Sequence, residues 1–224
     1  MPPSAETALA FDLDGVLVDT TELVVRGWSA VAASLGRTID IGTIRERYFG
    51  RRTEDILREE LGLDADAAAA YVRERRDDKT AEVASGPPLV AIPGAVAFVR
   101  AAVAGRIPVA LVSSASASNV ELGLRSIGLA DAFGIRIDAG SVERGKPWPD
   151  AYLRAARALD RPADRLVVFE DSVAGVAAAR AAGARCVALT STTTAERLAA
   201  ADLVIDDFAA WTPRRLLARL DRSG

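Results

Sequence analysis

The chain has 224 residues, half of them hydrophobic, 26% charged and 5% aromatic, a composition that describes a globular protein with ample core. A net charge of −3 without any Lys/Arg block gives no electrostatic support for nucleic-acid binding, and no apolar run is long and uncharged enough to span a bilayer. With no histidine and one cysteine, Ser-His-Asp hydrolysis, His-ligated zinc and a disulfide framework are all excluded.

Residues 7 to 12 form an apolar run that predicts a buried strand, and it ends in Asp12-Leu13-Asp14-Gly15. Two carboxylates there repel each other unless a cation or a shared proton compensates, so a chemical role is expected. Gly15 suits a tight turn with positive φ.

Residues 20 to 88 read almost wholly helical, with segments at Glu22 to Trp28, Thr43 to Gly62 and Ala65 to Ala84. This interval is too long for a crossover and predicts a helical insert. Its junctions are Asp19-Thr20-Thr21 and Ser85-Gly86-Pro87-Pro88, with Thr20 expected as a hinge or N-cap residue. Trp28, Tyr48 and Phe49 are expected in the core of the insert.

A second strand is predicted at 107 to 113, ending in Ser113-Ser114-Ala115-Ser116 ahead of a helix through Asn119. A hydroxyl and free backbone N–H groups at a helix N-terminus make an anion site, although a serine there also serves as an ordinary cap. After a strand at 134 to 138, Gly145-Lys146-Pro147-Trp148-Pro149-Asp150 sets a lysine in a rigid turn, where alone it reads as a solvated loop residue. The run at 165 to 170 ends in Glu170-Asp171-Ser172, with Gly175 following; a helix cap explains one of these acids but not both. Two more strands are predicted at 185 to 190, holding Cys186 as a buried residue, and at 202 to 206.

Strands alternating with helices predict an α/β fold, a doubly wound parallel sheet formed by residues 1–19 and 89–224, with the α-helical insert at 20–88. Ligands of such sheets bind at the carboxyl ends of the strands. There Asp12, Asp14, Glu170, Asp171, Lys146 and Ser113 could converge, and four acids in one pocket demand a cation. Oxygen-only ligands suit Mg²⁺ sharing its shell with a substrate phosphate, which points to phosphoryl transfer.

The four segments, Asp12-Leu13-Asp14-Gly15-Val16, Ser113, Lys146 in Gly-Lys-Pro-Trp-Pro-Asp, and Glu170-Asp171-Ser172 with Gly175, appear in the order of the motifs of the haloacid dehalogenase superfamily. The chain resembles that family, in the branch holding β-phosphoglucomutase, phosphoglycolate phosphatase and many sugar phosphatases. The resemblance implies a Rossmann-like core with a helical cap at 20–88. Asp12 is implied as nucleophile and metal ligand, and Asp14 as acid/base and, through its carbonyl, a further ligand. Ser113, Ser114 and Lys146 are implied as phosphate-binding residues, and Glu170 and Asp171 as completing an Mg²⁺ site. The segment Phe49 to Asp55 resembles the family's specificity loop, making Arg51, Arg52, Arg76 and Lys79 candidate substrate contacts.

The implied activity is a phosphatase acting on a small phosphorylated metabolite, with a β-phosphoglucomutase-like mutase as the alternative. Against the mutase, its early cap histidine is replaced by Val24, and an arginine of the specificity loop by Thr53. A phospho-accepting signalling module is a third reading, disfavoured by the length of the chain and by the insert. A monomer or weak dimer is expected, in the cytoplasm, since Met1 to Thr7 lack the features of a signal peptide.

Overall fold

The computed structural model describes residues 7–74 and 88–222. In chain order, β1 (Ala8–Phe11) leads to the short β2 (Val18–Asp19), then α1 (Thr21–Ser34) and α2 (Ile41–Thr43), which runs into a π-helical turn at Ile44–Tyr48. There follow α3 (Thr53–Glu59), α4 (Ala65–Glu74), β3 (Val90–Ala91), α5 (Ala95–Ala104), β4 (Val109–Val112), α6 (Ala117–Ser126) and β5 (Ile135–Ile137). The chain finishes with α7 (Asp150–Ala158), β6 (Leu166–Glu170), α8 (Val173–Ala181), β7 (Arg185–Leu189), β8 (Leu203–Ile205) and α9 (Pro213–Leu220).

All six expected strands form one parallel sheet in the order β5-β4-β1-β6-β7-β8. β1 lies at its centre, and the chain crosses to β4 on one side and to β6 on the other. The topological switch point therefore falls at the carboxyl ends of these three strands. β1 and β6 are buried along their whole length, which explains why they read as unbroken apolar runs instead of alternating ones.

The two faces of the sheet are packed differently. On one, Phe11 and Phe169 stack with centroids 4.6 Å apart, and Phe98 and Phe208 close around them, beneath α5, α6 and α9. Each buried phenylalanine contributes roughly 1.5–3 kcal/mol, so the strands that carry the site residues rest on a stiff base. On the other face, Ala8, Ala10, Ala110 and Ala188 meet Ala155, Ala178 and Ala179, and these small side chains let α7 and α8 approach closely.

The insert has a core of its own, with Trp28, Ile44, Tyr48, Phe49, Ile56 and Leu57 all buried and the Trp28 and Tyr48 rings edge to face at 5.0 Å. Trp28, Tyr48 and Phe49 thus lie where their apolar character places them. An unforeseen antiparallel ribbon, β2 with β3, pairs Val18 with Ala91 and Asp19 with Val90 where the chain leaves and rejoins the sheet. The helix expected from Thr43 to Gly62 is broken over residues 49–52. Gly50 there takes φ 75°, and a Cβ on it would lie 2.1 Å from the Ser172 hydroxyl. Of the segment Ala65 to Ala84, residues as far as Glu74 are helical, and the rest lies outside the described residues.

Candidate active site

Asp12 is the first residue beyond β1; its N–H donates to the Phe169 carbonyl at 3.0 Å, which holds it at the sheet edge. The residue is only 2% exposed. The turn that follows is closed by the Gly15 N–H donating to Val18 O at 2.7 Å. Gly15 has φ 73°, and a Cβ there would sit 2.0 Å from Asp171 Oδ2, so glycine is required both by the turn and by the acid beside it. Asp14 is half-buried, and its Oδ1 accepts a hydrogen bond from Thr20 Oγ1 at 2.8 Å. Thr20 precedes α1 but makes no side-chain cap bond; it anchors the Asp14 carboxylate instead.

Lys146 is as buried as Asp12, which overturns its solvated-loop reading. Its Nζ lies 3.1 Å from Asp12 Oδ1, 2.5 Å from Glu170 Oε1 and 3.5 Å from the Val112 carbonyl, so one ammonium ties together the ends of β1, β6 and β4. Glu170 is fully saturated by protein donors: Oε1 takes Lys146 and the Tyr152 hydroxyl, and Oε2 takes the Asp171 N–H at 3.3 Å and Ser172 Oγ at 3.2 Å. Ser172 is the N-cap of α8, accepting from Gly175 N–H at 3.0 Å. Capping therefore falls to the serine, and neither acid is explained by it.

Burial pushes the Asp12 carboxyl up to about 8 against the pull of Lys146, with Glu170 and Asp14 adding to the rise. Asp171 is driven well above the usual carboxylate range by burial and then by Asp12 and Glu170. For Lys146, burial alone favours the neutral amine, but the Asp12 and Glu170 carboxylates outweigh it and hold the group above the ordinary lysine value.

Asp12, Glu170 and Asp171 present ligand oxygens within 4.8 Å of one another. Among them, both carboxylate oxygens of Asp171 are buried with no hydrogen-bond partner, whereas Asp12 Oδ1 faces the Lys146 ammonium at 3.1 Å. Buried, unpartnered anionic oxygens are costly unless a cation completes them, so the donor set fits a hard divalent ion. The oxygens free to hold it are those of Asp171, beside the Asp12 carboxylate that also faces Lys146, while those of Glu170 are engaged with Lys146, Tyr152, Ser172 and the backbone.

A family profile described as haloacid dehalogenase-like hydrolase matches residues 6–183. The chain belongs to this family. The validoxylamine A 7'-phosphate phosphatase of Streptomyces hygroscopicus subsp. limoneus is 32% identical over 203 residues, which cover 88% of this chain and 92% of the relative. Hexitol phosphatase A of Escherichia coli K12 is 34% identical over 197 residues, covering 87% of this chain and 88% of the relative. The β-phosphoglucomutase of Clostridium difficile shares the fold, with a TM-score of 0.85 over 97% of this chain and 98% of the other, at 23% identity. This haloacid dehalogenase-like hydrolase is an enzyme acting on phosphoric monoesters.

In the hydrolase, the sequence-selected residues Asp12, Asp14, Ser113, Lys146, Glu170 and Asp171 are gathered around the ends of β1, β4 and β6. Ser113 is buried and its Oγ accepts from Ala115 N–H at 3.0 Å, while Ser116, two residues after Ser114, caps α6. The Ser114 hydroxyl is directed to the Gly50 carbonyl at 2.7 Å. Arg51 pairs with Glu59 and with Glu60, the latter at 2.8 Å, and Arg52 grips Asp55 with two hydrogen bonds of 2.8 and 2.9 Å. Both guanidiniums are thus committed to neighbouring acids. Arg76 and Lys79 lie outside the described residues. Sequence reading passed over Tyr152, which is fully buried, donates to Glu170 and sets its ring 5.4 Å from Lys146 Nζ. The signal was there: a single polar tip on the apolar face of a helix that begins four residues after the lysine. No helix among the described residues is long and apolar enough to cross a membrane.

Proposed function

We propose that the chain is an Mg²⁺-dependent phosphatase of small sugar or related metabolite phosphates, working through an aspartyl phosphate on Asp12. The observation that carries this reading is the buried set of Asp12, Asp171 and Glu170 around Lys146, with both Asp171 carboxylate oxygens left unpartnered for a cation. The substrate class is supported by relatives named for phosphorylated compounds, a hexitol phosphatase among them. On this reading residues 20–88 form a cap over a core of 1–19 and 89–224, and the enzyme is cytoplasmic.

Asp12, Asp171 and the Asp14 carbonyl would hold Mg²⁺, with Glu170 behind them; the ion would supply positive charge to offset the carboxylates and the transferring phosphoryl oxygens. Lys146 and Ser113 orient that phosphoryl group in line with Asp12, which displaces the alcohol and so splits one difficult displacement into two easier ones. Asp14, steadied by Thr20, gives its proton to the leaving oxygen and then takes one from the water that hydrolyses the aspartyl phosphate. Burial beneath the segment around Gly50 keeps bulk water from the phosphoryl group. The test is a panel of metabolite phosphates with Mg²⁺, with inorganic phosphate and isomer products measured together. Phosphate release that is abolished in Asp12→Asn and in excess chelator supports the reading. Isomerisation without phosphate release, or turnover that survives the chelator, contradicts it.

A further inference from the structure

Residues Gly50 and Arg52 of the insert touch the sequence neighbours of three site residues. Ser114, beside Ser113, donates its hydroxyl to the Gly50 carbonyl at 2.7 Å. Ser172, beside Asp171, lies so close to Gly50 that a Cβ there would be 2.1 Å from its Oγ. Gly145, beside Lys146, lies under the Arg52 side chain, where a Cβ would meet Nε at 2.6 Å and Cγ at 2.8 Å. Arg52 Nη1 also donates to the Val142 carbonyl at 3.2 Å, so the guanidinium spans the turn that carries Lys146.

The guanidinium is itself locked. Nε and Nη2 bind the two oxygens of Asp55 at 2.8 and 2.9 Å, and both side chains are only 16% exposed. A planar fork held bidentately at one edge and donating at the other acts as a rigid brace, which the single ammonium of lysine cannot reproduce. With Asp55 and Val142 taking these three positions, the fork is oriented for holding protein rather than a substrate anion.

We infer that Arg52, braced by Asp55, is a positioning residue for Lys146. Seated across Gly145, it fixes the turn from Val142 to Lys146 and keeps Nζ in register with Asp12 and Glu170 while the segment at Gly50 is docked. The inference rests on the phosphatase reading, since only there does Lys146 have a phosphoryl group to hold. Misplacing such a group by about 1 Å costs on the order of a hundredfold in rate, so loss of the brace is felt at the chemistry without contact to the substrate.

The experiment compares Arg52→Ala, Arg52→Lys and Asp55→Ala, with Arg58→Ala on the exposed side of the same helix as reference. Each is assayed with Mg²⁺ on p-nitrophenyl phosphate and on a hexitol phosphate, and its orthovanadate affinity is measured by calorimetry, alone and with Lys146→Met. The expected result is a loss of about tenfold or more in kcat/KM, equal for the two esters, in all three brace variants including Arg52→Lys. A parallel loss of vanadate affinity that adds nothing in the Lys146→Met background completes it. A loss confined to the hexitol phosphate, rescue by Arg52→Lys, or an additive loss with Lys146→Met overturns the inference. Should Arg52→Ala fail to fold, Asp55→Ala and Arg52→Lys carry the test. Wild-type protein releasing phosphate from neither ester nor from any member of the metabolite-phosphate panel overturns the phosphatase reading itself, whereas wild-type turnover with unaffected brace variants overturns only the positioning role.

Discussion

Replacing Lys146 by methionine keeps the side chain's unbranched stem as far as Cε and removes the one buried cation among the described residues. Its two ion pairs, at 3.1 and 2.5 Å, join groups no more than 3% exposed, so solvent screens them little. Deleting one partner of a buried pair costs about 3–5 kcal/mol, because the remaining charge stays uncompensated. At about 2–4 °C per kcal/mol for a chain of this size, the melting temperature of the metal-free protein falls by roughly 6–20 °C. The pH dependence follows from Asp12, which burial pushes up to about 8. Lys146, held above the ordinary lysine value, remains charged at pH 9, so the pairing it supplies is fullest there. Toward pH 6 Asp12 takes up a proton and needs the cation less, and the gap between variant and wild type narrows. Thermal unfolding followed by circular dichroism at both pH values, in chelator, measures this. A variant as stable as wild type at pH 9, or a gap that grows toward acid, refutes the assignment of Lys146 as the compensating charge.

Tyr152→Phe removes the hydroxyl that Glu170 accepts, and a buried hydrogen bond to a charged group is worth about 1.5–3 kcal/mol, to be read from urea denaturation with unchanged m-value. Gly15→Ala forces a Cβ to 2.0 Å from Asp171 Oδ2 at φ 73°, so Mg²⁺ affinity falls about tenfold or more by titration, while a substitution at exposed Gly36 leaves it unchanged. In the metal-free wild type, Asp12 has a folded value of about 8 against 3.8 when free, so the stability it permits is intact below about pH 4 and lost as the pH rises through 8. Added Mg²⁺, which needs the ionised carboxylates, accordingly raises the melting temperature more at pH 8 than at pH 5.

The strands could be read from the sequence because β1 and β6 are buried on both faces and so run apolar without interruption up to the acids that end them. The ribbon of β2 and β3 could not, since each strand has two residues and is fixed by its partner rather than by its own pattern. Helical periodicity ran through Gly50, where the chain takes φ 75° and packs against Ser172, more than a hundred residues away in sequence, a contact no local pattern announces. Lys146 was ambiguous in its own turn and became a buried counter-ion only when β1, β4 and β6 brought Asp12, Val112 and Glu170 around it. The arginines of the insert show the converse. Arg51 and Arg52 looked available because Glu59, Glu60 and Asp55 sit three to nine residues away, at spacings whose pairing depends on how the helix begins.

The chemistry assigned to Asp12 is tested most directly by acid-quenching the enzyme during turnover of a metabolite phosphate with Mg²⁺ and mapping the modified peptide by mass spectrometry. A phosphoryl group on Asp12 in the wild type, absent together with turnover in Asp12→Asn, is the predicted result. Continued phosphate release by Asp12→Asn contradicts it.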